Sequence, residues 1–528
     1  MQELQQDQLR TGRSRPVEAV GLAATSKRAW LTLAIFLSCL FLYLQVFVPP
    51  STARLATGDQ AIYLNNGARM LAGEMIYRDY DHFTLPGTDV TYMALFRLFG
   101  VRAWIPQAVL IVLGTSLVWL IVVVSTKVMT LASSLLAGLL FVTLPFSSWL
   151  DASHHWYTTV GTTAALAVLL EKRSSARLIA AGVLLGVATF FTQSAVLCVV
   201  GFAVFLLWEH RVEKTPRTLL LEKEGALLVS FLTTLTACLA YFVWRVGLRR
   251  LFYFTVVFVV KYYPADWFNN WRVYGAGRPQ LHNWTTWPDV PAFAFIHLLI
   301  PLIYILVFVR YARRSSSSVD QQWKRLMLIN LTGFFLFLSI ASAPAYTRLY
   351  AVSPPAVILL VWLLNFSPKF GHGVVRLLWA MVLIMGITRP LVTQLRSKAY
   401  LDLPTGRTAF FEPPIYDKCK WVLERTRPGE YFFGDHQIAF TLRLRNAARV
   451  AFLRPTDYTR PEEVEDAMEA LQKFQVRFVS WYIGLDGEKD AARHPEGNHL
   501  APIRQYLHEH YRLAQTFSNG DQMWERTR

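Results

Sequence analysis

Few residues in this chain of 528 have the types and spacing that chemistry needs. The first is Asp59, in Thr57-Gly58-Asp59-Gln60. It directly precedes a stretch, 61–71, whose apolar Ile62, Leu64, Ala68 and Leu71 fall near helical spacing. A carboxylate there can cap the helix N-terminus or act as a general base. Asp79, Asp81 and His82 follow in Tyr77-Arg78-Asp79-Tyr80-Asp81-His82-Phe83. Such a group can hold a divalent metal, with Asp81 and His82 as candidate ligands, or orient a substrate hydroxyl. A polar loop held by local hydrogen bonds is the plain alternative. In an extended chain Asp79 and Asp81 would face one side. Asp151, His154 and His155 stand together right after an apolar run and can complete a site with the first loop, or simply support structure. Arg348 follows Ala343-Pro344-Ala345-Tyr346-Thr347, and its guanidinium matches phosphate oxygens. Anchoring at a membrane interface would use the same residue.

The elements that position these groups are apolar. Hydrophobic residues make up 53% of the chain and charged residues 17%, below the share of about 25% usual in soluble domains. This excludes a soluble enzyme and a disordered chain. The net charge of +17 would suit nucleic acid in a soluble protein, but basic flanks of membrane spans account for it here, so no nucleic-acid partner is expected. A spanning helix needs about 20 mostly apolar residues. Such runs occur at 29–48, 104–125, 128–150, 157–170, 178–208, 226–244, 290–309, 326–343, 349–366 and 374–391. The run 178–208 is too long for one span and is interrupted by Thr192-Gln193-Ser194, so it reads as two helices and the total as eleven. With the N-terminus inside, the segments 1–28, 126–127, 171–177, 209–225, 310–325 and 367–373 carry the Lys and Arg, while the turns 151–156 and 192–195 carry none. That obeys the positive-inside rule and puts the C-terminus outside. Residues 1–28 are polar and basic and read as a cytoplasmic tail, and with no small-residue cleavage site after the run 29–48 the first span reads as uncleaved rather than as a signal peptide. Four cysteines, three of them in apolar runs, cannot form a disulfide scaffold.

Three outside regions are large enough for chemistry. The loop 49–103 holds the amphipathic stretch, which suits a helix lying in the interface plane. The loop 245–289 is rich in Trp (Trp267, Trp271, Trp284, Trp287) and reads as an aromatic belt or a sugar-binding rim. The tail 395–528 alternates like a soluble α/β domain, with strands at 431–433, 449–453 and 476–483. Helices are expected at 459–475, capped by Thr459, and at 501–510, with a hairpin at 513–525 turning on Asn519-Gly520. His508-Glu509-His510 has no metal-site spacing.

The first loop carries a recognisable order: Gly58-Asp59-Gln60-Ala61, Met70-Leu71-Ala72-Gly73-Glu74, Tyr77-Arg78-Asp79-Tyr80-Asp81-His82, then Leu85-Pro86-Gly87 and Phe99-Gly100. This resembles the GT-C membrane glycosyltransferases, in the family-39-like branch with the protein O-mannosyltransferases, the lipid A aminoarabinose transferase and the rhizobial lipopolysaccharide core transferases. The likeness is good over 29–125 and looser beyond. It implies a polytopic helical domain over 29–394 and an extracytoplasmic α/β domain over 395–528, in the bacterial inner membrane. It implies a polyprenyl-phosphate-linked sugar as donor and a glycan, lipid or protein as acceptor, with Asp59 as general base. The second acidic element of the first loop would hold a metal or substrate. This chain reads Thr84-Leu85-Pro86 where some relatives carry His-Pro-Pro or Glu-Lys-Pro. A transporter or flippase would need ionisable groups at mid-membrane, and no run carries an acid in its middle. A non-catalytic scaffold would use the tail to bind partners.

Overall fold

Backbone in lipid must satisfy its own hydrogen bonds, which apolar runs of this length do only as helices. The computed structural model describes residues 16–275, 279, 281–314, 319–365, 368–454, 456–482 and 499–527. Arg10, Arg13, Arg15 and most of the Arg313–Ser318 linker lie outside that set. Among the described residues seven helices are long and apolar enough to cross a membrane: Lys27–Val46, Trp104–Ser125, Leu131–Ser148, Gln193–Glu213, Arg217–Val246, Trp284–Ala312 and Gly371–Leu395. Four of the eleven expected spans fall on other helices, His154–Leu169, Ser175–Phe191, Gln321–Leu338 and Pro354–Asn365. The run 349–366 is not one helix. Tyr346–Ala351 ends before Pro354-Pro355, which open the next helix, because proline disfavours a helical residue before it.

The helices share one apolar core, from Leu42 through Leu117, Phe141, Trp156 and Phe202 to Trp362. Gly182 allows one close helix approach: a Cβ there would lie 2.4 Å from the Leu227 carbonyl oxygen of the neighbouring helix. The basic segments gather at one end of the bundle. There Lys127 meets Glu171, Arg173 meets Glu209 at 3.4 Å and Lys324 meets Glu213 at 2.5 Å. Asp59, Asp151 and Arg348 lie together at the other end.

The first loop and the tail are knitted together. Strands β1 (Phe47–Val48), β2 (Thr52–Arg54), β3 (Ala399–Leu403) and β4 (Gly406–Phe410) form a sheet in the order β1-β2-β4-β3, with β2 and β4 parallel. This sheet bridges the boundary expected at 394. A second sheet has the order β6-β5-β7-β9-β8, from β5 (Tyr431–Phe433), β6 (Arg445–Asn446), β7 (Phe478–Trp481), β8 (Tyr511–Thr516) and β9 (Gln522–Arg526). Every residue of β7 is buried, as in a central strand covered on both faces. The helices Pro461–Lys473 and Ala501–His510 pack Val464, Leu471, Ile503 and Leu507 into the same core as Val479 and Trp481.

Two local expectations are corrected. Residues 449–453 form no strand. The Asn446 side chain accepts from Ala448 N (3.1 Å) and donates to Val450 O (2.9 Å), closing a turn just after β6. Thr459 does not cap the helix after it, because its hydroxyl accepts from Arg454 N at 2.7 Å. Arg460 takes the N-cap position, and Glu463 accepts from Arg460 N at 2.9 Å.

Lys418, on the helix Pro413–Leu423, is buried between Asp435 and Asp521, each 2.6 Å from its ammonium. Burial opposes its charge, but the two carboxylates win and hold the lysine above its ordinary pKa. This triad links three separate segments of the tail. Lys418→Met strands two carboxylates and should cost about 3–5 kcal/mol. Thermal unfolding of the full chain in detergent checks this, the expected result being a clear fall in Tm for the variant.

Candidate active site

Asp59 occupies the N-cap position of the helix Gln60–Leu71, yet its side chain makes no capping hydrogen bond. Its backbone is already helical there (φ −62°, ψ −29°), whereas a capping side chain goes with an extended N-cap backbone. The helix start is held by its neighbours instead. Gln60 donates to Thr57 O at 2.9 Å and accepts from Ala152 N at 3.0 Å. Asp151 comes from the same turn as Ala152. Its buried carboxylate has the Gln60 and Asp59 N–H groups beside it. Gly58 makes room: at φ +79°, a Cβ would meet the Asp151 Oδ2 at 2.5 Å. Burial, and then the charge of Asp59, push the Asp151 pKa well above the ordinary carboxylate value. Asp151 therefore tends to stay protonated beside Asp59.

Both acids open on a cavity of about 660 Å³. The first loop, the helix ends on the side away from the basic segments and the tail all line it. His82, His154, His155 and Arg348 face the same space, so six of the eight sequence candidates meet there. Arg348 is fixed by Ala343 O (2.8 Å), the Tyr263 hydroxyl (2.6 Å) and Asn269 Oδ1 (3.0 Å). Phe83 stacks against Tyr263 at 4.8 Å, and Phe452 against Tyr458 at 5.7 Å, giving the cavity an aromatic wall drawn partly from the tail. Arg389 is held by Ser147 (2.7 Å), Ser148 (2.8 Å) and Asp289 (2.9 Å).

The remaining two candidates point elsewhere. The segment 75–80 is a turn, not an extended chain. Tyr77 has φ +66°, and its N–H donates to Tyr80 O at 2.8 Å. Asp79 is spent inside that turn, on Arg78 (2.7 Å) and Met75 N (2.7 Å). Asp81 pairs with Arg449 of the tail at 2.8 Å and lines a different, water-sized cavity. His82 is buried, with its Nε2 2.6 Å from the Thr84 hydroxyl. Asp81 and His82 thus fail the fit for a shared metal. Among the described residues no group of three His, Cys, Asp or Glu could hold one. The side chains of Trp271, Trp284 and Trp287 are exposed and do not line the cavity, as suits a belt rather than a sugar rim.

The outlines of known folds match this arrangement. The chain superposes on ArnT from Cupriavidus metallidurans bound to undecaprenyl phosphate with a TM-score of 0.59, at 12% identity over 94% of this chain and 98% of that one. It superposes on the archaeal oligosaccharyltransferase AglB from Archaeoglobus fulgidus, in complex with an inhibitory peptide and a dolichol-phosphate, with a TM-score of 0.52. There the identity is 12%, over 95% of this chain and 75% of that one. The chain has the GT-C fold. No family model and no curated protein sequence matches it. In this GT-C chain, Tyr63, Tyr263, Asn269, Arg54, Arg389 and Arg396 also line the cavity, and sequence reading missed them. Arg389 stood out only as a cation inside an apolar run. The others carried no signal, since they come from separate segments that only the fold unites.

Beneath the cavity floor lies an uncharged polar chain. His154 Nδ1 is 2.5 Å from the Tyr63 hydroxyl, which is 3.3 Å from Thr84 Oγ1. Asp89, fully buried, lies 3.8 Å from His82. Burial lifts the Asp89 pKa to about 8 and lowers that of His82 to about 3. Both are therefore neutral at pH 7. Below pH 6.5 the two groups pull stability in opposite directions, since unfolding lets His82 take up a proton and Asp89 release one. Between pH 6.5 and about 8 only Asp89 acts. There the folded state binds more protons, so stability falls as pH rises, by about 2 kcal/mol at most. Thermal unfolding across that window should show the fall in wild type and a flatter profile in Asp89→Asn.

Proposed function

We propose that this protein is a GT-C glycosyltransferase that moves a sugar from a polyprenyl-phosphate carrier to an acceptor hydroxyl at the extracytoplasmic face. The observation that carries this reading is the Asp59 carboxylate, released from capping its own helix and turned to the same cavity as Arg348. A base and a fixed guanidinium facing one space are what the transfer needs. Asp59 takes the acceptor proton while the acceptor oxygen attacks the anomeric carbon. The bond from that carbon to the phosphate oxygen breaks, and its electron pair leaves with the polyprenyl phosphate. Arg348 stabilises that developing charge. Burial beside Asp59 favours the protonated form of Asp151, which lessens competing negative charge at the helix start. His154 and His155 line the wall beside Arg348 and hydrogen-bond the sugar or phosphate. No step runs through a metal.

The carrier also suits the surroundings. A long isoprenoid gains about 0.8 kcal/mol for each buried CH₂, and apolar helix faces border the cavity. ArnT, with the same fold, was solved with undecaprenyl phosphate bound. The gathering of basic segments at the opposite end favours an N-terminus in the cytoplasm of a bacterial inner membrane, with eleven spans and the tail outside. We read residues 29–394 as the catalytic domain and 395–528 as a cap that completes the cavity wall through Phe452, Arg454 and Tyr458.

Reconstituted wild type should release polyprenyl phosphate from one member of a panel of polyprenyl-phosphate sugars when given acceptor lipid extracts. Asp59→Asn should lower kcat by about 10²–10⁴ with Tm unchanged. Near-normal turnover in that variant removes the proposed base. Arg348→Gln should lower kcat by about 10²–10³, and Arg348→Lys should recover part of it. A single displacement also inverts the anomeric centre, which NMR of the product checks directly.

A further inference from the structure

The cavity holds a second group of cations that the transfer step does not use. Arg54, at the end of β2, and Arg396, just after the helix Pro368–Leu395, face one aromatic ring. Their guanidinium carbons lie 4.9 Å and 5.9 Å from the centre of Phe411. Lys398 brings a third positive charge to 5.9 Å from the same ring. Among the described residues neither arginine has a carboxylate within ion-pair distance. The nearby Asp289 is committed to Arg389 at 2.9 Å. Burial, and then the charge of Arg396, lower the Arg54 pKa, so the pair is electrostatically unfavourable as it stands. Proteins seldom hold like charges together in a recess unless an anion joins them.

This group is separate from the proposed leaving-group site. Arg348 acts electrostatically on His154, His155 and Tyr263, and Tyr263 and Asp151 in turn feel Asp59. Arg54 instead feels Arg396, Glu412 and Asp289. The leaving phosphate must lie beside the carbon under attack, hence near Asp59. Asp59 lies five positions after Arg54 in the sequence, a reach of at most about 18 Å. A molecule of two or three sugar units would span that distance.

We infer that Arg54 and Arg396, around Phe411, bind an oxyanion (a phosphate or a carboxylate) on the acceptor, which places the acceptor hydroxyl at Asp59. This rests on the glycosyltransferase reading and adds an anionic acceptor class to it. Bidentate guanidinium contacts suit either oxyanion, and Phe411 can carry the sugar face beside it.

The test uses the full chain in nanodiscs saturated with undecaprenyl phosphate, with binding of glucose 1-phosphate, glucuronate and methyl glucoside measured. At least one charged sugar should bind tenfold or more tightly than methyl glucoside, and which one does so tells phosphate from carboxylate. Arg54→Gln/Arg396→Gln should weaken that binding at least tenfold while leaving undecaprenyl phosphate affinity within twofold. Arg396→Gln alone, at a half-exposed helix end, should weaken it about fivefold without lowering Tm. The inference is overturned if no charged sugar is preferred, if undecaprenyl phosphate displaces the charged sugar, or if the double variant binds it as well as wild type. A lowered Tm with unchanged binding in Arg396→Gln would make that arginine structural and overturn it too. Failure of the wider reading looks different, as wild type that does not bind undecaprenyl phosphate at all.

Discussion

A buried carboxylate at a helix start governs this site. The N-terminus of Gln60–Leu71 attracts negative charge through its open N–H groups and its dipole. Its own N-cap residue, Asp59, would ordinarily answer. Here Asp151 reaches that position from another segment, through the space that Gly58 leaves by lacking a side chain. Gln60 ties the same two segments together on its other side. Asp59 is thereby spared, with its carboxylate outside the hydrogen-bonded structure and inside the cavity. A helix cap and a free carboxylate are two uses of one residue, and here a second acid leaves Asp59 free of the cap.

Around the site, polar groups are joined without adding charge. His82, Thr84, Tyr63 and His154 are joined by hydrogen bonds, and Asp89 lies neutral behind them. Several charges are held in pairs: Asp81 to Arg449, Arg389 to Asp289, Lys418 to two aspartates. The first of these pairs joins the first loop to the tail, and the sheet β1-β2-β4-β3 joins them again. The tail is therefore part of the cavity wall. Against this background the unpaired Arg54 and Arg396 stand out, and their placement gives a reason to expect a negative acceptor.

Much of this was legible in residue order. Apolar runs located the bundle helices because lipid leaves the backbone no other choice. The split at Thr192-Gln193-Ser194 followed from the excess length of the run and its polar interruption, and the helix Ser175–Phe191 ends at an extended Thr192. Asp59, Asp151, the adjacent histidines and Arg348 line one cavity because each stands at or near the end of an apolar run, on the same end of the bundle. The errors arose where local geometry overrode pattern. Alternation at Asp79 and Asp81 suggested a shared face, but the left-handed Tyr77 turns the chain between them. Arg449 to Leu453 had strand composition, but Asn446 closes a turn there. The strands β3 and β4 form a short hairpin with each other, but the partner that ties β4 into the sheet, β2, lies over 350 residues earlier in the chain, in the first loop. Pairing at such separation leaves no local signal.

The central claim is that Asp59 and Arg348 flank the bond that breaks. The most direct measurement is a cryo-electron microscopy structure of the Asp59→Asn variant in nanodiscs with a polyprenyl-phosphate sugar bound. The account predicts phosphate density against the Arg348 guanidinium, with the anomeric carbon between it and residue 59. Phosphate seated instead between Arg54 and Arg396, or residue 59 turned back to cap its own helix, would contradict it.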